Sequence, residues 1–167
     1  MDPEIYFLKY AFPCSFIIKQ RNEISQSEYN LLEESAIRDI KLSRKFLEKI
    51  FFRAFERIDK VAADLNKDRW NLEVIKEYFI NRHNDIIEQG MYSYAQAPES
   101  LKNLCKIHTG KVIDISREYL IVEYEQDKHR PVLSSLVKKV KKGDFVTIHY
   151  GYAVERISPS FQKVQSP

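Results

Sequence analysis

The sequence predicts an α+β protein in two parts, a helical bundle of about four helices followed by a small five-stranded β-barrel, and three observations carry that reading. Only four glycines occur, none before Gly90, and the others are Gly110, Gly143 and Gly151. Charge divides in the same region: residues 1–100 hold 15 Lys and Arg against 17 Asp and Glu, whereas residues 101–167 hold 12 against 7. The hydrophobic period changes there as well, from three-to-four to two. An acidic part with no glycine before Gly90, followed by a glycine-punctuated basic part, is the pattern of helices joined to strands and turns. The expected boundaries are a bundle over 1–90, a linker over 91–103, a barrel over 104–158 and a tail over 159–167.

Helical elements follow in order. Asp2 caps a first helix with Pro3 at its first position, where a missing N–H costs nothing. Ile5, Leu8, Phe12, Phe16 and Ile17 mark its apolar stripe, and Pro13 is expected to kink or split it near Cys14. Ser25 and Glu28 have the spacing of a capping box before YNLLEESAIRDI. From Ser43 to Leu65, apolar residues at Phe46, Leu47, Ile50, Phe51, Ala54, Phe55, Ile58, Val61, Ala62 and Leu65 predict one long helix with a wide buried face. Asn71 caps a last helix, whose apolar side runs through Leu72, Ile75, Phe79 or Ile80, His83 and Ile86 or Ile87 and which stops at Gly90. Short connections between such helices make a bundle.

Little in this half points to chemistry. His83 has no second histidine four residues away to form a metal pair, so a surface or capping role is expected for it. Cys14 is expected to be a buried small hydrophobe. The stretch from Met91 to Asn103 mixes small, aromatic and turn residues, and Tyr92 and Tyr94 are expected to pack on a surface.

Beyond it, Lys111–Ile115, Tyr119–Tyr124, His129–Leu133, Phe145–Tyr150 and Tyr152–Ile157 alternate or are β-branched and aromatic. Five short strands in this length hide their edges best by closing into a barrel. Gly143 belongs to the turn before the fourth strand. Gly151 interrupts a strand pattern, as at a bulge or barrel corner.

Composition narrows the function classes. With 44% hydrophobic residues, ten Phe and ten Tyr, the chain can bury a core and is not mainly disordered. No apolar run is long enough for a bilayer. The acids of MDPEIYFLKYAF stand where an export signal would carry Lys or Arg, and two cysteines are too few for a disulfide framework. A reducing, cytoplasmic location is therefore expected. No paired carboxylates, nucleophile elbow or phosphate loop stands out, so no enzymatic activity is expected.

The barrel half carries segments resembling a known family. Leu104-Cys105-Lys106-Ile107-His108-Thr109-Gly110-Lys111-Val112 resembles the opening of the HypC/HupF family of [NiFe]-hydrogenase maturation chaperones, which begin Met-Cys-x-x-x-Pro-Gly-x-Val. Val132–Val137 resembles the family's middle segment. Gly143-Asp144-Phe145-Val146-Thr147-Ile148-His149-Tyr150-Gly151-Tyr152-Ala153 resembles its most specific stretch, Gly-Asp-Tyr-Val-x-Val-His-x-Gly-Phe-Ala. Leu104 replaces the family's Met and Thr109 its Pro, and Cys105 follows a hundred-residue domain instead of beginning the chain. The resemblance implies an OB-like barrel that binds a HypD-like scaffold and the hydrogenase large-subunit precursor. It also implies a transient Fe(CN)2(CO) unit as cargo, with no permanently bound cofactor. Cys105 would be the iron ligand, and His149 would assist the thiolate or hold the unit by hydrogen bonding.

Two other readings stand beside this one. An OB-like barrel with a basic balance and aromatic residues such as Tyr119, Tyr124 and Tyr150 is suited to single-stranded nucleic acid. Alternatively, the bundle is an interaction module and the barrel has lost its function. His108, three residues after Cys105, offers half of a zinc site whose second pair is missing. The run Lys138-Lys139-Val140-Lys141-Lys142 is expected to be a solvated turn.

Overall fold

The computed structural model describes residues 1–91 and 95–158 and divides the chain into two compact units, Met1–Lys102 and Asn103–Pro167. Tyr92, Tyr94 and the expected tail over 159–167 lie outside the described residues. Among the described residues no helix is long and apolar enough to cross a membrane.

The first unit is helical. Helix α1 (Pro3–Ala11) starts on Asp2, whose carboxylate accepts the Glu4 N–H, and Pro13 replaces the next turn with a 3-10 segment, Phe12–Cys14, before α2 (Ser15–Gln20). The expected split at Pro13 is there, but the stripe is not continuous across it. A 3-10 turn winds three residues per turn instead of 3.6 and shifts the phase. Phe16 is therefore 40% exposed, whereas Leu8 and Phe12 of the expected stripe are buried together with Tyr6, Phe7 and Tyr10. Cys14 is only half-buried, not the core residue expected.

Helix α3 (Gln26–Arg38) carries the complete capping box: Glu28 N–H donates to Ser25 Oγ at 3.1 Å and Ser25 N–H to Glu28 Oε2 at 2.8 Å. The expected single helix from Ser43 to Leu65 is two, α4 (Arg44–Ile50) and α5 (Phe52–Leu65), separated at Phe51 with φ −100° and ψ 33°. Phe51 is buried and its ring meets Phe7 edge-on. One apolar periodicity runs through both helices, so the break carries no pattern signal. Helix α6 (Leu72–Lys76) is capped by Asn71 and passes through a π-helical stretch, Glu77–Arg82, into α7 (His83–Glu88). There His83 is buried against Tyr78 and Phe79, contrary to the surface role expected. Helical spacing already sets His83 on the apolar side of this helix, and burial there leaves no surface role for it.

The scarcity of glycine is explained by these helix ends. Asn22, Asp39 and Asn66 take the left-handed conformation, with φ of 57°, 58° and 51°. Asn and Asp visit that region more readily than other side chains, so α3 and α5 end on Asp39 and Asn66 without glycine. The unit's core is aromatic: the Phe7 ring lies 4.8 Å from Phe55, 5.5 Å from Phe51, 5.6 Å from Trp70 and 5.8 Å from Phe79.

Helix α8 (Glu99–Cys105) forms within the stretch read as a linker, and its residues from Asn103 onward belong to the second unit. That unit is a closed five-stranded barrel of β1 (Ile107–Ser116), β2 (Tyr119–Tyr124), β3 (Lys128–Leu133), β4 (Phe145–His149) and β5 (Tyr152–Ile157) in the order β1-β2-β3-β5-β4. Long β1 pairs through Ile107–Lys111 with β4 and through Lys111–Ser116 with β2, shifting register between Val112 and Asp114. Such a bulge bends one strand so that it can serve both sides of a barrel. Antiparallel pairing continues through β2–β3 and β4–β5, and the parallel contact of Leu133 with Tyr152 completes the barrel. Val112, Leu120, Val122, Val132, Val146, Ile148 and Ala153 fill it. Gly151 is not a bulge within a strand: it shares with Tyr150 the two-residue turn between paired His149 and Tyr152.

Candidate functional site

The end of α8 brings the two site residues of the sequence reading to one place. The last carbonyls of a helix have no donors within it. At this helix end the barrel supplies them. The Tyr150 N–H donates to the Leu104 carbonyl at 2.8 Å, and the Asn103 carbonyl accepts from His108 Nε2 at 3.2 Å and Arg130 Nη2 at 3.4 Å. Strand register then sets Ile107 opposite His149. Cys105 thus lies between two points, Leu104 and Ile107, at which its segment is fastened to Tyr150 and His149. Cys105 and His149 share one end of the barrel, and each is 1% exposed.

Tyr150 adopts φ 54°, a conformation that costs a residue with a bulky side chain roughly 1 kcal/mol or more. Both of its backbone polar groups are engaged in this corner: the N–H by Leu104, the carbonyl by Arg130 Nη1 at 3.4 Å. Arg130 itself lies against Tyr124, with the guanidinium 4.7 Å from the ring centroid and Nη2 2.8 Å from the hydroxyl. One guanidinium fork therefore spans β2, the β4–β5 turn and the end of α8.

His108 completes the rim. Its Nδ1 is 2.7 Å from Glu125 Oε1 and its ring centroid is 4.9 Å from that of Tyr124. The imidazole stands between two acceptors, the Glu125 carboxylate and the Asn103 carbonyl, and can donate to both only with both nitrogens protonated. Burial opposes that charge and holds the His108 imidazole below its ordinary range, against the pull of the two acceptors. Burial also works to raise the Glu125 carboxyl, but the Lys128 ammonium, 3.0 Å from Oε2, and His108 outweigh it and hold the group below the usual carboxylate range. Glu125, Gln126 and Asp127 form the β2–β3 turn with three successive positive φ values and no glycine.

Sequence reasoning assigned Cys105 and His149 to one site and missed Arg130, Tyr124 and Glu125 as its surroundings. Nothing in their spacing marks them, because Glu-Gln-Asp carries no glycine turn signal and Arg130 joins the site only through strand pairing. His108 was matched with Cys105 as half of a zinc site, but its ring nitrogens face Glu125 and Asn103. Among the described residues no group of three or more His, Cys, Asp or Glu is arranged to hold a metal ion. Of the aromatics suited to nucleic acid, Tyr119 is exposed, whereas Tyr124 is engaged by Arg130 and His108.

No curated protein matches the chain. Residues 105–164 match the model of the HupF/HypC family. The matched segment begins at Cys105 and takes in the whole described barrel, so it is the second unit of this chain that is similar to the HupF/HypC family.

Proposed function

We propose that this protein is a cytoplasmic chaperone or adaptor for the iron centre of a [NiFe]-hydrogenase, acting by binding partner proteins and not by catalysis. A role in hydrogenase maturation follows in general terms from its similarity to the HupF/HypC family. The finer reading gives Cys105 the iron of an Fe(CN)2(CO) unit and gives His149 a supporting hydrogen bond. Its partners are a HypD-like scaffold and the large-subunit precursor. The observation that carries this reading is the convergence at one barrel end of the two residues in the family-like motifs, which lie 44 positions apart in sequence.

The chemistry suits the cargo. Cyanide and carbonyl ligands make iron soft and low-spin, and a thiolate is a soft donor. The Cys105 thiol gives up its proton as the S–Fe bond forms; on hand-over that bond breaks and the sulfur regains a proton from solvent. One thiolate leaves the other positions on iron to cyanide, carbonyl and the scaffold.

The test is to purify the tagged chain from a host that makes a [NiFe]-hydrogenase. The scaffold or precursor is expected to come with it, and infrared absorption of iron-bound cyanide and carbonyl to be lost in Cys105→Ser. Absence of both partners and of those bands from the wild-type preparation would sink the reading.

A further inference from the structure

Cys105 is buried, and a thiol in that position cannot meet an iron unit until its segment moves. What holds the segment is unusual in kind. The side chains of Asn103 and Leu104 are exposed, so little apolar burial anchors them. Their attachment is polar and runs through two carbonyls: Asn103 to Arg130 and His108, Leu104 to the Tyr150 N–H. Two of these contacts, at 3.2 and 3.4 Å, are long for hydrogen bonds. A helix end fastened this way opens at lower free energy than the barrel core, which is closed by strand ladders and a filled interior.

Resting on the reading of Cys105 as the iron ligand, we propose that Arg130 and His108, converging on the Asn103 carbonyl, form a latch that keeps the Cys105 thiol buried, and that release of this segment presents the thiol to its cargo. Arg130 is the central piece, because the same guanidinium also grips the Tyr150 carbonyl and the Tyr124 hydroxyl. Removing it frees the helix end and loosens the Tyr150 turn together, while the strand ladders stay intact. His108 acts from the other side of the same carbonyl, through Nε2. Both are positioning residues: neither is asked to touch iron.

The latch is tested by the rate at which iodoacetamide alkylates Cys105 in the full chain, with peptide mapping to separate it from Cys14. In the wild-type protein Cys105 is expected to react more slowly than Cys14. Arg130→Ala should speed its alkylation about tenfold, the effect of removing a hydrogen bond to a charged group. The acceleration should persist unchanged through low urea, the mark of a local opening that exposes little surface. His108→Gln is expected to give a smaller rise, and Arg130→Lys, which keeps the charge without the fork, an intermediate one. If Arg130→Ala fails to fold, Arg130→Lys and His108→Gln carry the test alone. Lys128→Ala, which removes a partner of Glu125 and not of Asn103, should raise the rate less than His108→Gln. Unchanged rates in all the latch variants, or acceleration that climbs steeply with urea, would overturn the latch. Neither result depends on iron or a scaffold, so failure of the proposed function would leave these rates as they are.

Discussion

Replacing Phe7 with alanine is expected to destabilise the helical unit by about 3–5 kcal/mol, the range for deleting a buried aromatic side chain. Phe7 is fully buried, and its ring meets those of Phe51 at the α4–α5 junction, Phe55 in α5, Trp70 in the turn before α6 and Phe79 in the π-helical stretch. Those neighbours are themselves large rings fixed by one another, so the site cannot collapse to fill the hole and the cavity cost is retained. Trp70 is the single tryptophan of the chain, and its indole N–H donates to Glu48 at 2.6 Å. Its fluorescence therefore reports on this cluster during urea unfolding. A midpoint shift worth less than about 1 kcal/mol would show that the rings repack, against the rigidity argued here.

Gly110→Ala is the second large effect and acts on the barrel. A Cβ at position 110 would sit 2.4 Å from Val122 Cγ1 and 2.6 Å from the Glu123 carbonyl oxygen. The first neighbour is a buried core side chain and the second is backbone, so neither can move aside without disturbing the β1–β2 ladder. Forcing an extra carbon into a packed interior costs about 1–3 kcal/mol and occasionally more, and a backbone clash belongs at the upper end. Amide exchange at Val122 and Val146 is the measure: protection should fall by about a hundredfold, which corresponds to about 2.7 kcal/mol. Protection equal to wild type would mean that β1 shifts to absorb the methyl. The same glycine stands in the family-like opening motif, and close strand approach, not backbone freedom, is its physical reason here.

Helices and strands were legible wherever local chemistry is decisive. The caps at Asp2, Ser25 and Asn71, the split at Pro13 and the five period-two segments all follow from the side chains of a few neighbouring residues. Features set by packing were not legible. The break at Phe51, the π-helical stretch before His83 and the outward turn of Phe16 arise because a long-range contact or a changed winding overrides a periodicity that continues through them. At the candidate site the residue types of Cys105 and His149 were readable from the motifs. Their shared end of the barrel needed the pairing of β1 with β4, and Arg130 needed the pairing of β3 with β2.

The division into a helical half and a strand half, visible first in four glycines and a charge imbalance, was determined by sequence alone. Glycine use and hydrophobic period are local properties, and they differ between helix and strand at every position. Whether the Cys105 thiol is open or covered was decided only by tertiary structure. The groups over the end of its helix, Arg130, His108 and the Tyr150 N–H, come from two strands and a turn that meet only when the barrel closes. Backbone hydrogen bonds between strands carry no side-chain signature, so the fastening of that one segment became visible only in the closed barrel.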